Sequence, residues 1–172
     1  MDNEIVHVML KPDTLEFGMR EVILNELLGV GGTLLLSKRL VLSMRQISDI
    51  YPYFDNERAK DVVFRYFTTR ETEHLAFVGP VGIHARYQQA KGKTGTGMGI
   101  KGRHYTRYTM LTKSELAHWF EGTLENIGNI DLEMFARDIL HIPNSPEESV
   151  NGLLSILDPD EVVLLSKYLC PR

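Results

Sequence analysis

The stretch Ile139-Leu140-His141-Ile142-Pro143-Asn144-Ser145-Pro146-Glu147-Glu148 is a short apolar strand that breaks at a proline and runs straight into a helix start. Ser145 with Glu148 three residues later forms a capping-box pattern, and Pro146 falls at the favoured first helical position. His141 therefore lies between a buried strand and a helix N-terminus, where its ring is held while one nitrogen faces a cleft. A neutral imidazole so placed can attack and carry a phosphoryl group.

The opposite end of the chain supplies a partner. Ile5-Val6-His7-Val8-Met9-Leu10 is an apolar run of strand length, and Lys11-Pro12-Asp13 ends it, because proline cannot continue a central strand. A helical pattern from Phe17 to Leu28 follows, so Lys11 sits at a strand-to-helix junction suited to an anion.

Between these two segments the pattern alternates. Gly31-Gly32 turns the chain into a strand over Thr33 to Leu42, Ser43 caps a short helix from Met44 to Ile50, and a helix runs from Asn56 to Phe67. His74 to Val78 is a third strand. From Gly79 to Gly102 the chain is glycine-rich and irregular, with one short helical turn around His84 to Ala90. Thr112 to Glu115 is a further capping box, Asp131 caps a helix to Asp138, and the last helix begins at Asp158-Pro159. This order is that of an α/β (α+β) domain: a ferredoxin-like, four-stranded antiparallel sheet with its helices on one face.

Composition narrows the function classes. The 172 residues, 43% hydrophobic, suffice for one domain with a full core, and the net charge of −4 argues against nucleic acid as a general partner. The single cysteine, Cys170, excludes an intrachain disulfide and fits a reducing compartment. No apolar run reaches membrane-spanning length and Met1-Asp2-Asn3-Glu4 lacks the charge of a secretory signal, so the expectation is a soluble cytoplasmic protein without a membrane partner. The six histidines show no metal-ligand spacing. One segment runs against the overall charge: from Ile83 to Ser114 stand Arg86, Lys91, Lys93, Lys101, Arg103, Arg107 and Lys113 with no acid. With seven glycines from Gly79 to Gly102, this stretch has the makings of a polyanion cradle, or else of a solvated loop. Gly92-Lys93-Thr94 is not a Walker A loop, since Tyr87 stands where the first glycine is needed.

Lys11-Pro12-Asp13 after the first strand, Gly18 behind it, and His141 followed by Ser145-Pro146-Glu147 and a helix together resemble the nucleoside diphosphate kinase family. The resemblance implies a fold of four antiparallel strands with surrounding helices over residues 1–172, to which this chain adds a helical insertion at about 105–131, longer than the family's usual connection, and a C-terminal helical extension at about 158–172. It implies transfer of the γ-phosphate of a nucleoside triphosphate to a nucleoside diphosphate through a phosphohistidine on His141, with Mg²⁺ carried on the nucleotide phosphates and no metal ligand in the protein. By the same resemblance Lys11 contacts the transferred phosphate, with Tyr51 beside it. Thr94 of Lys91-Gly92-Lys93-Thr94 takes the place of a phosphate-binding threonine, and Lys101 of Ile100-Lys101-Gly102 that of a phosphate-binding arginine. Asp138 of Arg137-Asp138-Ile139-Leu140-His141 takes the place of a ribose-contacting asparagine. Family members assemble as oligomers, so a homo-oligomer is implied; Trp119 and Phe120 of the insertion read as core or subunit contacts, and the resemblance favours a subunit contact over a lid on the nucleotide cleft.

Several positions depart from the family. Its serine two residues after the histidine is Pro143 here, the glutamate that orients the histidine falls on Gly152, the base-stacking phenylalanine on Ala59, and an upstream phosphate arginine on Gln88, with Arg86 near enough to substitute. Tyr53 or Phe54 are the candidates to replace the missing stacking ring. A non-catalytic nucleotide-binding or regulatory relative is the alternative reading. A third is a single-stranded RNA binder that stacks bases on Tyr87, Tyr105 and Tyr108 within the basic segment.

Overall fold

Strand β1 (Asn3–Leu10) is buried from Ile5 onward on both of its faces, which is why it reads as a continuous apolar run instead of an alternating one. Ile5 and Met9 face one apolar cluster, and Val6, Val8 and Leu10 face a second on the other side of the sheet. The computed structural model describes residues 3–52, 57–93, 96–104, 118 and 138–169. The proposed insertion at about 105–131, with Trp119 and Phe120, and also Tyr53, Phe54 and Thr94, lie outside the described residues, His118 apart.

β2 (Thr33–Val41), β3 (Glu71–Pro80) and β4 (Leu140–His141) complete a four-stranded sheet in the order β2-β3-β1-β4, every neighbouring pair antiparallel. That order is the ferredoxin-like one expected. The helices differ from expectation in lying on both faces. On the Ile5 and Met9 side pack α3 (Met44–Ile50), α4 (Glu57–Thr68), α7 (Pro146–Leu154) and α8 (Pro159–Leu169); on the Val6 and Val8 side pack α2 (Arg20–Leu28), α5 (Ile83–Lys91) and α6 (Gly99–His104).

Three local departures have local causes. The helix expected from Phe17 begins only at Arg20, as α2, and a separate short α1 (Pro12–Glu16) precedes it, because Gly18 takes a left-handed φ of 66° between them. Helices α5 and α6 take most of the described residues from Ile83 to Gly102, and two of the glycines there serve packing: a Cβ on Gly92 would stand 2.1 Å from the Met98 carbonyl, and one on Gly99 2.5 Å from the Gly92 Cα. There the backbones after α5 and before α6 touch. At α7, Ser145 accepts from the Glu148 N–H as the capping box requires, but the Glu148 carboxylate reaches back to the N–H of Asn144.

Gly152 marks the closest approach of α7 to the sheet. A Cβ there would lie 2.7 Å from His7 Nδ1, and His7 cannot retreat because its Nε2 is 2.9 Å from His74 Nδ1. Gly152→Ala is expected to lower stability in urea unfolding despite a helix-propensity gain of about 1 kcal/mol, because overpacking a buried contact costs about 1–3 kcal/mol. A raised unfolding midpoint would show that α7 can lift off His7 freely.

Candidate functional site

β1 and β4 end side by side, and the chain leaves each of them at a site residue. The N–H of Lys11 continues the strand pairing by donating to the Ile139 carbonyl at 3.0 Å, after which Pro12 opens α1 at a position that needs no N–H. On the neighbouring strand His141 pairs with Met9. Tyr51, just past α3, lies between the two: its ring centroid is 4.6 Å from that of His141 and 5.7 Å from Lys11 Nζ. Lys11 also lies 5.5 Å from the Phe67 ring, so its stem and ammonium are held against aromatic surface.

The His141 ring is partly covered. Its Nε2 is buried with no hydrogen-bond partner among the described residues, which leaves Nδ1 as the nitrogen to face outward. Burial, followed by the charges of Lys11 and other nearby lysines, holds the imidazole pKa well below its usual value. The ring is neutral near pH 7 and carries a lone pair.

Lys101 and Asp138 also come to this place, but as a salt bridge with each other, and Asp138 accepts the Ile139 N–H at 2.9 Å. Burial, then the charge of Asp138, pushes the Tyr51 phenol up. Lys91 is a cation that the sequence placed in the basic segment without a role of its own. Its Nζ donates to the Ile142 carbonyl at 3.0 Å, and burial, then Lys101, brings its pKa down to about 8. Gln88, three residues earlier on α5, donates to the same carbonyl at 3.1 Å and to that of Pro143. The signal was present in the i, i+3 spacing of Gln88 and Lys91.

Arg86 is a correction. Its guanidinium lies 3.3 Å from where a Cβ on Gly31 would stand, beside the start of β2. Thr33 pairs with Val78, and Val78 with Ile5, so Arg86 sits at the far end of β1, on the order of 20 Å from Lys11 at strand rise. Gln88 occupies the helix face that Arg86 was expected to supply. Ala59 is 3% exposed on the inner side of α4 and presents nothing to a base. The RNA reading loses its first stacking residue, since Tyr87 is fully buried and its hydroxyl donates to the Leu27 carbonyl at 3.1 Å. The basic segment is also less bare than its sequence, as Glu26 pairs with Arg103 and His104.

Behind His141 lies a row of buried polar groups. His7 and His74 stack with centroids 5.1 Å apart, and His74 Nε2 is 2.9 Å from the Thr72 hydroxyl. Burial lowers the His7 pKa to about 3 and takes His74 well below its usual value. A histidine with a depressed folded pKa binds its proton in the unfolded state first. Its stabilising effect is therefore complete above about pH 6.5 and is lost as pH falls towards the folded value. Urea unfolding at pH 7.5 and 5.5 is expected to show stability falling by about 1.4 kcal/mol per pH unit for each such ring below 6.5. Equal stability at the two values would mean that these rings are not held neutral.

No family model matches the sequence, and no curated protein matches it. Solved structures do. The chain superposes on the nucleoside diphosphate kinase of Aquifex aeolicus with a TM-score of 0.66 at 14% identity, covering 92% of this chain and 98% of that one. On the Halobacterium salinarum enzyme in complex with CDP the TM-score is 0.66 at 16% identity, covering 92% and 90%. On the Borrelia burgdorferi enzyme, a transition-state mimic with bound vanadate and ADP, it is 0.67 at 12% identity, covering 98% of each chain. The fold is that of the nucleoside diphosphate kinases.

Proposed function

We propose that this protein is a divergent nucleoside diphosphate kinase-like phosphotransferase, working by a two-step exchange through His141. The observation that carries the reading is that His141, with Nε2 buried, and the buried Lys11 both lie against the Tyr51 ring. The nucleoside triphosphate enters with Mg²⁺ on its phosphates as part of the substrate. The Nδ1 lone pair of His141 forms the new N–P bond while the bond from the γ-phosphorus to the bridging oxygen breaks. The electron pair of that bond leaves with the nucleoside diphosphate. A second diphosphate then attacks the phosphohistidine through its terminal phosphate oxygen and restores the imidazole.

Such transfer depends on positioning and charge compensation. Lys11 would stand against the transferred group, with Lys91 beside the carbonyl that follows His141. The Lys101–Asp138 pair would have to open for Lys101 to meet phosphate and Asp138 ribose.

That pair also favours a second reading, a nucleotide-binding relative without turnover, because each of the two groups satisfies the other and Pro143 supplies no hydroxyl beside the histidine. A coupled exchange assay with a nucleoside triphosphate and a different diphosphate separates the two. Parallel double-reciprocal lines support the phosphotransferase. Nucleotide binding in calorimetry with no exchange supports the second reading and overturns the first.

A further inference from the structure

The hydrogen bonds behind His141 have a direction that one hydroxyl proton fixes. The Thr72 hydroxyl donates to the Leu40 carbonyl at 3.1 Å, so at its 2.9 Å contact with His74 Nε2 it can only accept. A neutral His74 is thus protonated on Nε2 and presents a lone pair at Nδ1. His7 Nε2, 2.9 Å away, must be the donor to that lone pair. A neutral His7 with its proton on Nε2 has an acceptor at Nδ1, and this atom is buried without a partner among the described residues. The tautomers follow from satisfying the contacts in order.

His141 supplies the complementary group. It stands opposite Met9, and His7 is two residues from Met9, so the two rings share one face of the sheet as diagonal neighbours on adjacent strands, within aromatic reach. A buried donor and a buried acceptor left apart each forfeit the hydrogen bonds they would make in water. Helix α7 closes the space above them, where Gly152 lies over His7 Nδ1 and the buried Ser149 hydroxyl, one turn earlier, is likewise without a partner among the described residues. Gly152 has no side chain to serve His141, and the His7 ring fills the place where one would begin.

We propose that His7 is the positioning residue for His141: its Nδ1 accepts the Nε2–H of His141, across a gap that rotation of the His141 ring closes. The chain Leu40 carbonyl, Thr72, His74, His7, His141 then runs with a single polarity, and its last link leaves the Nδ1 lone pair of His141 free to attack. The acceptor gains strength during transfer, since phosphorylation at Nδ1 with the Nε2 proton retained makes the ring positive and its N–H more acidic. The lowered pKa values of all three rings agree with this, as each must be neutral to offer one donor and one acceptor. This role rests on the phosphotransfer reading, but its central statement, the tautomer of His141, does not depend on turnover.

The test is long-range ¹H–¹⁵N correlation spectroscopy on the whole chain labelled in histidine, at pH 7.5, with signals assigned by His7→Asn and His141→Gln. His7 and His141 are both expected as Nε2–H tautomers. An Nδ1–H tautomer at either ring overturns the proposal, whether or not phosphoenzyme forms. Absence of phosphoenzyme in the unaltered protein overturns the phosphotransfer reading alone. In His7→Leu the His141 signals are expected to become those of a tautomer mixture, with phosphoenzyme formation slowed on the order of 10- to 100-fold and the nucleotide KM held within about 3-fold. His7→Asn places an amide oxygen near the Nδ1 position and is expected to restore the Nε2–H tautomer and most of the rate. An unchanged tautomer and rate in His7→Leu overturns the proposal. If that variant does not fold, the unaltered protein and His7→Asn decide between the same outcomes.

Discussion

His141→Ala, incubated with terminally labelled ATP and Mg²⁺, is expected to carry no acid-labile, base-stable label, whereas the unaltered protein acquires it. Exchange should fall by roughly 10³-fold or more, because the variant loses the covalent route itself and not one contact within it. The expectation stands on the ring's surroundings. With Nε2 buried and lysines close by, protonation is disfavoured, so the nucleophilic form dominates without a separate base. The ring also packs on Tyr51, so His141→Gln, closer in volume, serves as the folding control and should be equally inactive. Label retained by either variant would place the phosphoryl group on another residue and remove the basis of the mechanism.

The placement of Lys11 and His141 at neighbouring strand ends was legible because each is announced by its own neighbours. A strand that stops at Lys11-Pro12, and a strand that turns into a capped helix after His141, place both residues at strand ends. Local chemistry then does what it says: Pro12 starts α1 and Ser145 caps α7. The sheet order was legible for a similar reason, since the alternation of strands and helices along the chain admits few topologies, although it did not show that helices cover both faces.

Features that depend on contacts between distant segments were not legible. Nothing near His7 in sequence announces that it meets His74, 67 residues away, or that α7 would approach closely enough to require glycine at position 152. The choice between Arg86 and Gln88 turned on helix phase, and a two-residue difference puts the side chains on different sides of α5. In the glycine-rich stretch composition pointed to a loop, while the structure uses Gly92 and Gly99 to bring two helix ends into contact. The acids that meet the basic segment come from α2 and from the residue before Ile139, so a count within the segment overstated its free charge.

Lys11→Ala is expected to slow phosphoenzyme formation by about 10²- to 10³-fold, the usual loss when a positioned group that meets developing charge is removed, while nucleotide affinity changes only a few-fold. The asymmetry follows from where the lysine sits. It is 9% exposed, against the Tyr51 and Phe67 rings, a low-dielectric setting in which a charge acts strongly on whatever faces it. Stopped-flow phosphorylation and equilibrium titration separate the two effects, and equal losses in both would make Lys11 a ground-state ligand only. The variant carries a second expectation with a fixed sign. After burial, Lys11 is the largest influence holding the His141 pKa down, so its removal should let that pKa rise. More of the ring would then be protonated at a given acidic pH, and the acid limb of the rate profile should move to higher pH. A limb that stays in place or moves lower would mean that the two charges do not share a site.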